Sequence, residues 1–96
     1  MNRIILIASI LAACTSSPAI PRDRACHEQA DAWCARAGFM GSPGCMLWYV
    51  HECEPNGPDG LIDAESQDAC MAAIEDSKDP GIEPSECRAT WRTSAP

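Results

Sequence analysis

"CHEQADAWC", residues 26–34, and "CMLWYVHEC", residues 45–53, each set two cysteines eight positions apart. How these two stretches fold decides the architecture of the chain. Cys26, Ala30, Trp33, Cys34 and Ala37 fall at i, i+4, i+7, i+8 and i+11, which gathers them on one face of a helix. Eight residues of helix rise about 12 Å, well past the ~7 Å that a disulfide tolerates between Cα atoms. Cys26 therefore cannot bond Cys34 if that helix is continuous, and the same holds for Cys45 and Cys53 if theirs is. The net rotation over eight residues is only about 80° beyond two turns, so the two cysteines of each stretch share roughly one face. Two such helices laid antiparallel pair Cys26 with Cys53 and Cys34 with Cys45, and the numbers add to 79 in both pairs. Cys70 and Cys87 are left to join a third helix to a last one. A chain-entropy argument assigns each bridge about 3–4 kcal/mol.

The layout resembles the twin-cysteine helical hairpins of the mitochondrial coiled-coil-helix families, with a shorter spacer between the cysteines. That resemblance implies an architecture and no activity.

Local signals place the helices. Asp23 is a candidate N-cap for a helix over 24–37, stopped by Gly38. Ser42 before Pro43 fits an N-cap followed by proline at the first helical position. Residues 43–53 are apolar enough to be a strand, which would change the pairing; the cap favours a helix, and Pro55 ends it. "PNGPDG", 55–60, is a turn by composition. A third helix is expected from Asp63 with Cys70, Ala73, Ile74 and part of Met71 inward, and a short one over 84–91 carrying Cys87 and Trp91. The expected fold class is all-α: a small disulfide-stapled helical domain, with an antiparallel helical hairpin followed by two shorter helices.

The chain opens with Met1-Asn2-Arg3 and the apolar run Ile4–Ile10 before Leu11-Ala12-Ala13-Cys14. A positive start, an apolar stretch and small residues before a cut form a secretory signal pattern. The stretch is too short for a membrane span, which takes about 20 apolar residues. Leu11-Ala12-Ala13-Cys14 resembles the lipobox of bacterial lipoproteins. The resemblance covers residues 1–14 and implies cleavage between Ala13 and Cys14, with lipid attached at Cys14. In Gram-negative members a residue other than Asp after the cysteine, here Thr15, goes with outer-membrane sorting. The expected domains are a signal peptide over 1–13, a lipidated N-terminus and flexible tether over 14–23, the helical domain over 24–92, and a disordered tail over 93–96. With Cys14 lipidated, seven cysteines become six, an even set for three bridges in an exported chain.

The net charge is −7, and it becomes −8 once Arg3 is removed with the leader. No basic patch occurs, so nucleic acid is not an expected partner. The lipid on Cys14, and not the acidic protein face, is then the membrane contact, and an envelope or extracellular protein is the expected binding partner. About 70 residues remain to fold, a size at which an apolar core alone is marginal.

Residues 54–65, "EPNGPDGLIDAE", partly match a calcium-binding EF-hand loop, with Glu54, Asn56 and Glu65 at positions 1, 3 and 12. Pro58 occupies position 5 and Gly60 falls one place late, so an acidic turn capping the third helix is the better reading. His27 and His51 flank the proposed Cys26–Cys53 bridge, a weak basis for a zinc or copper site. No metal, cofactor or catalytic residue is nominated: the chain has no nucleophile elbow and no phosphate-cradling loop. Trp33, Trp48, Tyr49 and Trp91 are read as core; the other reading of Trp48-Tyr49 is a recognition edge. The expected function is a membrane-anchored binding or structural module of the cell envelope. The alternatives are a calcium- or metal-binding envelope protein and a secreted inhibitor or toxin-like mini-protein.

Overall fold

A computed structural model of the chain describes residues 18–79 and 81–92. The signal peptide, the Ala13–Cys14 cleavage and lipid site, the first part of the tether and the 93–96 tail lie outside the described residues. The elements are β1 (Ala19–Pro21), α1 (Arg22–Arg36), α2 (Pro43–Cys53), β2 (Leu61–Asp63), α3 (Ala64–Glu75) and α4 (Ser85–Arg92). None of these helices is long and apolar enough to cross a membrane.

The chain is built as two helical hairpins. In the first, α1 and α2 run antiparallel, with Cys26 bonded to Cys53 and Cys34 to Cys45 at Cα separations of 5.7 and 6.0 Å. In the second, Cys70 of α3 is bonded to Cys87 of α4. α3 lies parallel to α1: Gln67 near its start bonds the Ala25 carbonyl, and Arg36 at the end of α1 bonds the Ser77 carbonyl. All three bridges join the residues that the cysteine spacing expects.

The sharp turn between α1 and α2 follows from Gly38. Its N–H bonds the Ala35 carbonyl, the Phe39 N–H reaches back to Cys34, and Gly38 takes φ +89°. These two bonds satisfy carbonyls left over at the helix end, in a backbone conformation that glycine adopts without Cβ strain. Ser42 then caps α2 by accepting from the Cys45 N–H at 3.4 Å, with Pro43 at the first helical position. Asp63 caps α3 in the same way, accepting from the Ser66 N–H at 3.0 Å.

Three details differ from expectation. α1 begins at Arg22, so Asp23 lies inside the first turn and Pro21 stands at the N-cap. Pro21 lacks an N–H and has φ preset near the value it needs here, which makes it a natural last residue before a helix. Second, residues 19–23 belong to the folded domain and not to a tether. β1 pairs antiparallel with β2 in the register Ala19↔Asp63, Ile20↔Ile62 and Pro21↔Leu61, and the pairing sets Ile62 into the core. Strands of three residues are too short to show a period of two, and β1 ends in a proline.

The third is Arg22, a buried charge whose guanidinium lies where α2 and α4 both end. It donates to the carbonyls of Thr90 at 3.0 Å, Trp91 at 3.4 Å and Cys53 at 3.5 Å. A cation there satisfies leftover carbonyls and opposes the negative ends of two helix dipoles. Replacing it by a similarly sized apolar side chain, Arg22→Met, is expected to cost about 2 kcal/mol, since hydrogen bonds from charged groups are each worth about 1.5–3 kcal/mol. Urea denaturation checks this; an unchanged midpoint would make Arg22 a bystander.

Candidate interaction surface

The centre of the domain is polar. Gln29 is completely buried, and all four of its amide hydrogen-bonding positions are used. Its Nε2 donates to Gln67 Oε1 at 2.7 Å and to Thr90 Oγ1 at 2.9 Å. Its Oε1 accepts from the Tyr49 hydroxyl and from Trp91 Nε1, both at 3.0 Å. Through this one amide α1 is tied to α2, α3 and α4. Burial lifts the Tyr49 phenol far above its ordinary pKa, so it remains a donor to Gln29 throughout the physiological range.

From that hub a line of aromatic rings leads outward. Trp91 meets Tyr49 edge-on at 5.4 Å between centroids, Tyr49 meets Trp33 at 5.6 Å, and Trp33 meets Trp48 at 5.6 Å. Tyr49 is fully buried and Trp33 nearly so, whereas Trp48 is 44% exposed. The core reading therefore holds for Trp33 and Tyr49, in part for Trp91, and fails for Trp48. Neighbouring residues on a helix point about 100° apart, so with Tyr49 turned into the core Trp48 sits at its rim.

Trp48 joins two shallow grooves. One, of about 350 Å³, is lined by Trp33, Phe39, Ser42, Cys45 and Trp48. The other, of about 440 Å³, runs along the outer face of α2 past Leu47, Trp48, His51 and Glu52. Phe39, Met40 and Leu47 are 57%, 78% and 72% exposed. Single exposed apolar residues are ordinary, whereas here several are gathered on one hairpin of a small domain. Trp33 Nε1 is the only buried side-chain polar atom among the described residues without a hydrogen-bond partner. Sequence reasoning missed Phe39 and Met40 because they fall in a turn; Leu47 could have been found, since it lies two residues from Cys45 and so points away from the stapled face.

The other sequence candidates do not assemble into sites. Asp63 spends its carboxylate on the α3 cap, 61–63 form β2, and Ala64 and Glu65 open α3, so the 54–65 segment is turn, strand and helix start. His27 and His51 are both exposed, and no group of three or more potential metal ligands occurs among the described residues. Glu54, at the end of α2, has its pKa raised, first by burial and then by Asp23, against the opposing pull of Arg22 and His27. A carboxyl with a raised folded pKa contributes stability at acid pH that is lost as pH rises through that pKa. Glu54→Gln is therefore expected to match or exceed the parent in urea midpoint at neutral pH, with the difference closing below about pH 4. A variant less stable than the parent at neutral pH would contradict this.

No protein-family model, no curated protein and no solved structure matches this chain. What the geometry establishes is a small cysteine-rich domain with three disulfides, a buried Gln29 amide bonded on every side, and exposed apolar side chains on the α1–α2 hairpin.

Proposed function

We propose that the chain is a lipid-anchored binding module of a bacterial cell envelope, without catalytic activity, exported by residues 1–13 and held by acyl groups on Cys14. The observation that carries the binding part is the exposed set Phe39, Met40, Leu47 and Trp48 on a domain whose interior is closed by bridges. The anchoring part is supported by Leu11-Ala12-Ala13-Cys14 directly after an apolar run. Two acyl chains suffice for stable membrane attachment where one is marginal. Four residues, 14–17, separate the lipid from the described domain, a reach of at most about 14 Å, so the module stands close to its membrane.

Intact-mass measurement on the protein from its native membrane tests the reading. Loss of residues 1–13 with a diacylglyceryl adduct on Cys14 is expected, together with release into the soluble fraction on mild lipase treatment. An uncleaved or lipid-free chain would overturn the anchor.

A further inference from the structure

We infer that the Cys34–Cys45 bridge is a redox-sensitive latch on the α1–α2 turn, opened at Cys45 by a dithiol while the other two bridges stay closed. The inference rests on the binding-module reading above and adds a means of regulating that surface.

Access is the first argument. Cys26, Cys34, Cys53, Cys70 and Cys87 are fully buried, and Cys45 alone of the six bridged cysteines is partly exposed. It lines the groove of about 350 Å³ with Trp33, Phe39, Ser42 and Trp48. Exchange begins when a thiolate reaches one sulfur of a bridge, and exposed bridges are the labile ones. The Cys26–Cys53 and Cys70–Cys87 bridges offer neither cysteine to solvent, so a thiolate meets them only after the domain opens.

Chemistry is the second. The attacking thiolate bonds to Cys45 Sγ as the bond between the two protein sulfurs breaks, and the electron pair leaves on Cys34, which takes up a proton. The second thiolate of the dithiol then attacks its own sulfur in that mixed disulfide and releases Cys45 as a thiolate. The dithiol is oxidised to a disulfide, and the protein bridge is reduced to two thiols. Ser42 caps α2, so Cys45 is its third residue, where the positive end of the helix favours the departing negative charge.

The consequence is local. The bridge closes the shortest of the three loops, 11 residues against 17 and 27, and so adds least to the fold. With it open, Cys26–Cys53 still joins the other ends of α1 and α2, and Gln29 still holds Tyr49 between them. What loosens is the end of α1 against the start of α2, the segments that bring Trp33 up to Trp48 and frame Phe39. Opening alters the proposed binding surface and spares the core.

The test uses the full chain with Cys14→Ser, oxidised, so that only the six bridged cysteines can be labelled. Dithiothreitol is added in steps, free thiols are trapped with iodoacetamide, and peptides are mapped by mass. A species labelled on Cys34 and Cys45 alone is expected to form about tenfold or more faster than any label on the other four. It should keep the parent's helical circular dichroism. A monothiol in place of dithiothreitol is expected to leave its trapped adduct on Cys45. Amide hydrogen exchange in the doubly labelled species should be faster than the parent's over 34–45 and unchanged over α3 and α4. Labels arriving on all six cysteines together would overturn the inference, since reduction would then follow unfolding. First labels on the other bridges, or an adduct on Cys34, would do the same. So would exchange over 34–45 at the parent's rate, because the bridge would then latch nothing. The anchor is judged by the mass at Cys14 of the native protein, so a failure here leaves that result standing, and loss of the anchor leaves the order of labelling unchanged.

Discussion

Excess dithiothreitol is expected to abolish the helical circular dichroism of the oxidised protein at 25 °C. Three bridges span 27, 11 and 17 residues. The loop-entropy relation assigns them about 3.6, 2.8 and 3.2 kcal/mol. The 34–45 bridge is nested inside the 26–53 loop, so the combined effect is smaller than the three values taken separately. Even so, it is of the order of the whole stability of a domain this size, about 5–15 kcal/mol. The cysteines are also the core: Cys26, Cys34, Cys53, Cys70 and Cys87 are all buried, beside few large apolar groups such as Ile62 and Ile74. Reduction therefore removes both the restraint and part of the packing. Singly, Cys26→Ala with Cys53→Ala is expected to lower stability most, by about 3–4 kcal/mol. The Cys34 and Cys45 pair, beside the hairpin turn, should cost least. Retention of the helical signal with six free thiols would refute the account.

Gln29→Leu is expected to cost about 3–5 kcal/mol although it increases the apolar content of the core. The substitution strands the Tyr49 hydroxyl and Gln67 Oε1 in the interior, and each buried group left without a partner costs about 1–3 kcal/mol. Trp91 Nε1 loses its acceptor as well. Thr90 keeps its bond to the Cys87 carbonyl, and Gln67 Nε2 keeps its bond to Ala25, which limits the loss. Gln29→Glu separates hydrogen bonding from shape. The carboxylate can still accept from Tyr49 and Trp91, but it meets Gln67 Oε1, 2.7 Å from the native Nε2, with a second acceptor. Burial would raise the pKa of that introduced carboxyl, so the variant should regain stability as pH falls and the acid becomes a donor. Urea midpoints at neutral and acid pH measure both effects. A Gln29→Leu variant as stable as the parent would show that the amide is tolerated in the core and is not what organises it.

The cysteine spacing, the glycine at 38, the Ser42-Pro43 pair and Asp63 were legible because each acts locally or through helix geometry alone. A rise of 1.5 Å per residue is enough to forbid Cys26 from reaching Cys34. A glycine stop and a serine cap work within one turn of chain. The candidate surface was less legible. Trp48 and Tyr49 are adjacent aromatics of one helix; Tyr49, four residues from both Cys45 and Cys53, shares the stapled face, and how far Trp48 stays exposed depends on what the other elements leave uncovered. β1 and β2 were invisible because each is three residues long and has meaning only as a partner of the other.

By itself, then, the sequence determined the helical segments, the caps of α2 and α3 but not that of α1, and the antiparallel pairing of α1 with α2, since these follow from distances along the chain. The tertiary structure alone decided that Gln29 and Arg22, polar by composition, lie buried. A buried amide or guanidinium is tolerable only where its partners arrive from elsewhere: Tyr49, Gln67, Thr90 and Trp91 for the one, the ends of α2 and α4 for the other. No stretch of sequence taken alone contains those partners, and the same assembly that brings them together leaves Phe39, Met40, Leu47 and Trp48 at the surface.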